Sequence, residues 1–579
     1  MVTWNYQHME PTCLETSGRN KRNHQPDMTA YPEEAFVTRI CTMVLLPLIF
    51  YLACFSALTY PLITRVATHY ISDSGDWCMD APQNIWNMWW VNKAVTELHQ
   101  PVWQTNYLHY PHGSTLLGHT LNPFNGFAGI ILQRFMTLPQ AYNTMVIFSF
   151  IVGGWAAFYL AYLFSRSYAG SLLAGYIFTF SPFHFAHALG HLQLVSLEWI
   201  PLFIAAFYLF LNRPTVIRAA ASALLLFLIV LCDYYYAFYS MVTAVIIAGY
   251  WMWMKRDFLL LVRREYRRPM AVFAALGLVT TGALVGFFIL AHRSDPFTGG
   301  HPVEENSMNL SSLVIYGGQW RFRELTRRFW EGLPPNPVET SVYLGFSVIA
   351  VLVYAWVKRR KIAAHGLGLW YFILLFFVIL ALGPVMRIGG SALTWFPLPY
   401  SAVTYMFPLL NLSGCAMRMM VMVYLSAGVI AAMAYPLLRR GPLRSNAALV
   451  IVTAFLVIEY LPYPLSAQRA RVPAYVQAFS ALPPGAVADC LNDKYAAHYF
   501  QTLYERPRCV GYIARYPESV ERKYTEFDEL LMEDIPRYSK KLYDEYKLRY
   551  ILTKPDYPPN PKLKLLYTDA ECRIYELQP

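Results

Sequence analysis

The sequence predicts a polytopic α-helical membrane protein, and three observations lead to this fold class. Hydrophobic residues make up 56% of the 579-residue chain and charged residues only 14%, whereas soluble domains contain about 25% charged residues. The mean hydropathy is positive, at +0.31. About eleven apolar segments approach the length that a bilayer requires. These features exclude a disordered chain, a coiled coil and an ordinary cytosolic enzyme.

The predicted membrane helices follow from apolar runs bounded by polar or basic residues. They cover residues 38–64, 142–164, 168–186, 193–211, 216–233, 236–254, 270–291, 342–357, 367–386, 419–438 and 446–464. The preceding residues 1–37 are polar and show no short apolar core with a small-residue cleavage site. We therefore predict a cytoplasmic N-terminal segment, 1–37, and a first apolar segment that is kept as an anchor.

Basic residues on alternate short connections predict the orientation of these helices. Examples are the clusters at 255–268, 358–361 and 439–444, and such clusters mark the cytoplasmic side of a membrane. The N-terminus is then inside and the C-terminus outside. The net charge of +11 is explained by topology, so nucleic acid is not a predicted partner.

This topology divides the chain into three parts. After the N-terminal segment comes a transmembrane domain, 38–464, with long external loops at 65–141, 292–341 and 387–418. Residues 465–579 form a predicted small extracytoplasmic α/β domain, with strands near 486–490, 549–553 and 564–567. Cys490 and Cys509 could pair there in an oxidising compartment, but their spacing leaves this open.

The first external loop carries three acids, Asp73, Asp76 and Asp80, ahead of an aromatic-rich segment that contains Trp86. A carboxylate at this position can act as a general base or hold a divalent cation. A solvated turn before an interfacial helix is the alternative. Asp76 is the preferred candidate because Gly75 lets the backbone approach a ligand.

Further candidates are Tyr110 and His112, whose aromatic and imidazole groups suit a sugar or a phosphate, although an ordinary structured loop is the commoner case. His191 and Gln193 follow His184 and His187. The three histidines are spaced so that they could bind a metal if one helix continued through Gly190. Ordinary interfacial histidines are the commoner case.

Three charged residues lie near predicted membrane boundaries. Glu198 falls near the start of a span, and acids inside membranes are by default functional. Arg387 and Arg418 stand at external span ends, where topology does not require a positive charge. Their planar donor groups suit a lipid phosphate or pyrophosphate. A salt bridge to a loop acid is the alternative. The sequence contains no Walker A, GxGxxG, HExxH or GxSxG element.

In combination, these features resemble the GT-C membrane glycosyltransferases, with the bacterial YfhO-like proteins as the nearest subgroup. The resemblance extends from about residue 60 to residue 579 and rests on short motifs that are individually weak. They are Gly75-Asp76, Trp86, Trp90, residues 110–113, 190–193, 199–202, 339–345, 382–384 and 397–400, and Arg418.

The resemblance implies transfer of a sugar from a polyprenyl-phosphate-linked donor to an extracytoplasmic acceptor, which is a cell-envelope glycan, a lipid or a protein. It places the protein in the bacterial inner membrane with the active site facing outward. Asp76, with Asp80 as second choice, takes the role of base or metal ligand, and Arg418 stabilises the lipid phosphate. Metal dependence stays open.

One departure from the expected pattern concerns the phosphate site. An Arg-x-Pro-x-Arg run is expected before the tenth span, but the chain has only Arg418 within Gly414–Arg418. The rival functions are a lipid or glycan transporter or flippase, and a non-catalytic envelope assembly protein. Transporters usually contain related halves or paired broken helices, and the sequence shows neither.

Overall fold

A computed structural model describes residues 33–73, 80–331, 333, 339, 341–362, 366–439, 447–533, 535–558 and 560–578. Among these residues, six helical segments are long and apolar enough to cross a membrane. They are Val37–Leu58, Leu138–Ser165, Leu192–Asn212, Tyr234–Lys255, Arg264–Ser294 and Ala416–Arg439. Shorter apolar helices are Pro123–Leu132, Val216–Cys232, Phe346–Val357, Leu367–Ala381 and Val450–Glu459.

Helices are found at each of the predicted apolar segments, but a membrane count of eleven stays a prediction. The predicted span 168–186 is interrupted, and its two helices are Tyr168–Thr179 and Pro182–Ala188. Pro182 has no N–H to continue a helix, and Ser181 caps the second helix by accepting from the amide of His184. This break turns the chain toward the polar segment that follows.

The helix Met420–Arg439 forms the centre of the apolar core, and its residues 420–434 are all buried. It packs against the helices Leu138–Ser165, Tyr168–Thr179 and Leu367–Ala381. Glycine permits the closest approach in this core, because a Cβ at Gly175 would lie 2.0 Å from the Tyr51 hydroxyl. In contrast, only Tyr266, Pro269 and Leu284 are buried in Arg264–Ser294, as expected for a helix that faces lipid.

The C-terminal part contains a four-stranded sheet flanked by helices. The strand order is Ala486–Asp489, Leu548–Thr553, Arg573–Leu577 and Leu563–Thr568, with the first pair parallel and the others antiparallel. Three of these strands lie where the sequence predicts them, and Arg573–Leu577 is additional. The helices are Ala474–Ser480, Ala496–Tyr504, Glu518–Glu533 and Ile535–Asp544. Cys490 and Cys509 are free thiols.

The loop after the first apolar helix packs directly against this C-terminal part. The helix Ala81–Thr96 lies on Ala496–Tyr504, and the strand His69–Ile71 pairs with Ala467–Arg469. The Gln501 amide links the two regions, since its oxygen accepts from Trp86 Nε1 at 2.9 Å. These contacts place the acid-bearing loop beneath the C-terminal part.

Candidate active site

A cavity of about 630 Å³ lies between this loop, the ends of several apolar helices and the C-terminal part. Its walls differ in chemistry. One wall is apolar and is formed by Phe238, Met241, Val285, Phe288, Ile289 and Phe407. The other wall is polar and includes Asp80, His119, His191, Gln193, Arg418 and Arg515. A ligand with an apolar chain and a charged head group would match both walls.

Asp80 is fixed at the edge of the cavity by the start of the helix Ala81–Thr96. The Asn84 amide donates to the Asp80 backbone carbonyl at 3.1 Å and to the Gly190 carbonyl at 2.6 Å. This shared donor brings the two loop segments together. As a result, His191 Nε2 lies 3.1 Å from Asp80 Oδ2.

Five titratable or charged side chains form a continuous series that begins at Asp80, and we call it the polar row. His191 Nδ1 lies 3.1 Å from His187 Nδ1, and His187 Nε2 lies 3.9 Å from Glu339 Oε2. Arg418 then donates from Nε and Nη2 to Glu339 Oε1, at 3.0 and 2.5 Å. The row therefore runs Asp80, His191, His187, Glu339, Arg418.

One protonation pattern gives each contact in the polar row a donor and an acceptor. Doubly protonated His191 donates to Asp80 and to His187 Nδ1, and His187 then directs its Nε2 hydrogen toward Glu339. In this pattern two carboxylates are balanced by one imidazolium and one guanidinium. Such balance is what makes buried charges tolerable.

The electrostatics of the two acids in the row agree with this pattern. Burial alone would raise the pKa of Asp80, but the hydrogen bond from His191 and the charges of His191 and Arg418 lower it below its ordinary value. Burial would also raise the pKa of Glu339, but the neighbouring Arg418 and His187 lower it to about 2. Both acids are therefore carboxylates at neutral pH.

His119 joins the first loop to the C-terminal part in its neutral form. The backbone amide of Ala514 donates to His119 Nδ1 at 3.0 Å, so the ring hydrogen is on Nε2, which lies 2.9 Å from Asn87 Oδ1. Burial lowers the pKa of His119 to about 3, although the nearby Asp80 acts in the opposite direction. This histidine is thus a fixed neutral link at the cavity wall.

Arg515 is a second guanidinium on the cavity, and the sequence prediction did not include it. Its Nε donates to the Leu412 carbonyl at 2.7 Å, and its Nη1 donates to the Ala514 carbonyl at 2.6 Å. Within the described part of the chain it forms no ion pair. Its positive charge is therefore available to an anionic ligand.

The predicted site residues divide into several groups. The preferred base, Asp76, lies outside the described residues. The second choice, Asp80, lines the cavity together with His191, Gln193 and Arg418. Arg418 also forms the predicted alternative, a salt bridge, through which Glu339 holds it in place.

Three predicted residues in the first loop lie away from the cavity. Trp86 is fully buried and stacks on Trp90 with ring centroids 5.8 Å apart, and its substrate-binding role stays a prediction. The Tyr110 amide donates to the Arg508 carbonyl. His112 lies in a separate polar groove. Aromatic residues in a loop can serve either packing or ligands, and sequence spacing does not separate the two.

Two charged candidates are also found elsewhere. Glu198 is fully buried and accepts from the Ser149 hydroxyl at 2.7 Å. Arg387 lies on the strand Val385–Ile388 and donates to the Glu304 backbone carbonyl. Their substrate-binding roles stay predictions.

Within the described ranges, no three His, Cys, Asp or Glu side chains come together in a way that could hold a metal ion. Asp80 and His191 are engaged with each other, and His184 binds backbone carbonyls through both ring nitrogens. The metal-binding arrangement of His184, His187 and His191, which their spacing left open, is therefore not formed among the described residues. A divalent cation at Asp76 stays a prediction.

Comparisons with known proteins identify a family and a fold. Over residues 44–459 the chain matches the family described as Domain of unknown function (DUF6311), and it belongs to that family. Among proteins of curated function, none matches the chain in sequence.

Several solved structures are similar to the chain. The arabinofuranosyltransferase AftD from Mycobacteria matches with a TM-score of 0.51 at 12% identity, over 92% of this chain and 41% of AftD. The oligosaccharyltransferase AglB from Archaeoglobus fulgidus, bound to an inhibitory peptide and a dolichol-phosphate, has a TM-score of 0.43 at 11% identity, over 88% of this chain and 69% of AglB. ArnT from Cupriavidus metallidurans, bound to undecaprenyl phosphate, has a TM-score of 0.40 at 12% identity, over 91% of this chain and 97% of ArnT.

At these identities the likeness concerns the fold. The match to AftD shows a shared fold, and the GT-C class stays a prediction. The YfhO-like subgroup stays a prediction.

Proposed function

We propose that the protein is a membrane glycosyltransferase that moves a sugar from a polyprenyl-phosphate-linked donor to an extracytoplasmic acceptor. The observation that carries this proposal is the composition of the cavity. A carboxylate, Asp80, and two guanidinium groups, Arg418 and Arg515, line one space that also has an apolar wall. Transfer from a lipid phosphate needs a base, a positive charge and an apolar channel together.

In the proposed complex, the prenyl chain lies on the apolar wall near Phe238 and Phe288, and the phosphate lies toward the guanidinium groups. Arg515 is the better candidate for direct phosphate contact because carbonyls alone occupy its donors. Arg418 contributes a positive charge that Glu339 partly neutralises. The proposal therefore assigns phosphate binding to Arg515 and, with a smaller contribution, to Arg418, whereas the resemblance implied Arg418 alone.

The proposed reaction is an inverting displacement at the anomeric carbon. Asp80 accepts the proton of an acceptor hydroxyl, whose oxygen forms the new bond to that carbon. The bond from the carbon to the phosphate oxygen breaks, and its electron pair leaves with the lipid phosphate. Arg515 and Arg418 stabilise the negative charge that develops there. Asp76 is the alternative base.

The other residues of the polar row orient the proposed base, Asp80. His191 holds Asp80 Oδ2, and His187 and Glu339 fix the position of His191. A base that is held in one orientation reacts without reorganisation of its surroundings. The bacterial inner membrane, with this cavity on the outer side, is the location that the proposal requires.

Sugar transfer by the purified protein in liposomes tests the proposal. The donors are polyprenyl-phosphate sugars extracted from the host, and mass spectrometry follows loss of the sugar. We expect Asp80→Asn to lower turnover by about 10²–10⁴-fold, the usual contribution of a general base. Asp76→Asn is compared in parallel to decide between the two acids.

Asp556→Asn serves as the matched control, because this exposed carboxylate lies in the turn after the strand Leu548–Thr553. It should turn over like the unmodified protein. If neither Asp80→Asn nor Asp76→Asn slows transfer, the proposed base is wrong. If folded protein consumes none of the donors in the presence of host lipids and glycans, the glycosyltransferase proposal is wrong and the transporter or assembly alternatives are favoured.

A further inference from the structure

We propose that Tyr495 and Tyr512 form the acceptor-binding subsite and that the acceptor is a saccharide. The inference rests on the proposed function, since it names the second substrate of the same cavity. Both tyrosines belong to the C-terminal part and both line the cavity. The following contacts define the subsite.

The segment 511–516, here called the tail segment, is held rigidly over the cavity. The Ala514 amide donates to His119 Nδ1 at 3.0 Å, and Arg515 Nε donates to the Leu412 carbonyl at 2.7 Å. The Tyr516 hydroxyl accepts from the Ile513 amide at 3.2 Å. Three anchors within a short stretch fix the direction of the intervening side chains.

Tyr512, within this segment, packs against Tyr495. Their ring centroids are 4.8 Å apart and their planes are inclined by 57°. Tyr495 stands immediately before the helix Ala496–Tyr504, where Asp493 accepts from its amide at 2.8 Å. Both rings are partly exposed. Two inclined aromatic faces form a shallow notch rather than a flat packed surface.

A sugar ring matches such a notch because its C–H groups form an apolar face and its hydroxyl groups form a polar rim. Aromatic rings with a polar end supply both kinds of contact at low entropic cost. Lys494 Nζ lies over both rings of the notch, 5.1 Å from the centroid of Tyr495 and 5.0 Å from that of Tyr512. It is exposed and provides donors to sugar oxygens.

The notch is also next to the proposed base. Burial raises the pKa of Tyr512, and the charge of Asp80 contributes to the shift while Arg515 opposes it. The Tyr512 hydroxyl is therefore protonated and within electrostatic range of the Asp80 carboxylate. A saccharide held by Tyr512 would present a hydroxyl to the base.

The position of the notch favours the acceptor over the donor. The donor must place its prenyl chain on the apolar wall, formed in part by Phe288 and Phe407. The tyrosines belong to the C-terminal part, next to the exposed Lys494, whereas Phe288 belongs to the candidate membrane helix Arg264–Ser294. A second substrate that arrives from water would therefore meet the tyrosines first.

Acceptor kinetics test the inference. The probe is a mixture of oligosaccharides released from the host cell envelope by mild acid, with host envelope peptides and lipids as competing acceptors. We expect Tyr512→Ala to raise the KM for the oligosaccharides about tenfold, as loss of an aromatic contact suggests. This rise should exceed any change in the KM for the donor. Tyr512→Phe should keep most of the affinity because the ring remains.

Tyr495→Leu is the second variant and should show the same selective rise, so that a folding defect of Tyr512→Ala does not decide the outcome. Tyr543→Ala is the matched control, because Tyr543 is exposed on the helix Ile535–Asp544. An unchanged oligosaccharide KM in both notch variants would overturn the inference, as would transfer to peptides or lipids alone.

A binding measurement separates this inference from the proposed function. Quenching of intrinsic fluorescence by the same oligosaccharides needs no donor and no turnover. Binding that Tyr512→Ala weakens, in a protein that consumes no donor, would support the saccharide site and reject the glycosyltransferase. Donor consumption without oligosaccharide binding would do the reverse.

Discussion

The polar row and the tail segment both contribute side chains to the cavity, but they carry charge in different ways. In the row, each carboxylate lies against a cationic or imidazole group, as Glu339 does between Arg418 and His187. In the tail segment, Arg515 contacts only backbone carbonyls among the described residues. The comparison indicates that the row is internally compensated and orients a base, whereas the tail segment leaves charge and aromatic surface for ligands.

The largest expected effect comes from removing one charge of the buried Arg418–Glu339 ion pair in the polar row. Arg418→Leu removes the guanidinium partner of the buried Glu339 carboxylate, so we expect a loss of about 3–5 kcal/mol in the free energy of unfolding. Thermal unfolding of the purified protein in detergent, followed by fluorescence, measures the change. The double variant Arg418→Leu/Glu339→Leu should recover much of the loss because both charges of this ion pair are removed together.

If Arg418→Leu unfolded at the temperature of the unmodified protein, the ion pair would contribute little and the contrast with the tail segment would disappear. Arg323→Leu serves as a control for loss of an arginine, because its partner Glu324 is 65% exposed. Exposed pairs of this kind contribute only about 0–1 kcal/mol.

The contact between the first external loop and the tail segment should depend on pH, because His119 makes it. Its pKa is about 3 in the folded protein and 6.5 in the unfolded chain. Between these values the unfolded chain binds more protons, so the folded state loses stability as the pH falls below 6.5. At pH 5 the loss is about 2 kcal/mol relative to neutral pH.

Unfolding of the unmodified protein and of His119→Gln at pH 7 and pH 5 measures this contribution. The variant has no ionisable group at this position, so its stability should change less between the two pH values. Equal pH dependence of the two proteins would show that His119 is not the neutral link that its contacts imply.

A smaller effect is expected in the tail segment itself. Arg515→Gln removes a charge without leaving a buried carboxylate, so stability should change by less than about 0.5 kcal/mol. Donor affinity should fall about tenfold because a charge-assisted contact to phosphate is lost. The KM for the donor lipid measures this change, and Arg549→Gln, in the C-terminal sheet, is a matched control. A destabilised Arg515→Gln with normal donor KM would assign a structural role to Arg515.

The sequence predicted more of the fold than of the site. The lengths of the apolar runs predicted the positions of the helices, because a membrane helix requires about twenty consecutive, mostly apolar residues. The apolar pattern did not predict the helix break before Pro182, although proline indicates such breaks. In the site, the position of an acid ahead of an aromatic-rich segment indicated Asp80, and a positive charge at an external span end indicated Arg418.

The same kind of reasoning could not distinguish ligand contacts from packing contacts. Trp86 and Tyr110 have the residue types of a sugar site, but Trp86 is buried against Gln501 and Tyr110 packs against the C-terminal core. Glu339 was part of the motif 339–345 but was assigned no role, and Tyr512 belongs to no motif. Their identification requires knowledge of which distant segments meet.

By itself, the sequence determined the membrane class, the approximate helices and a set of charged residues near their ends, because hydrophobicity and charge act locally along the chain. Only the tertiary structure joined Arg418 to Glu339, 79 positions away, and Ala514 to His119, 395 positions away. These contacts form because buried charges and polar groups require partners. The partner is set by how the helices and the C-terminal part pack, which no local pattern records.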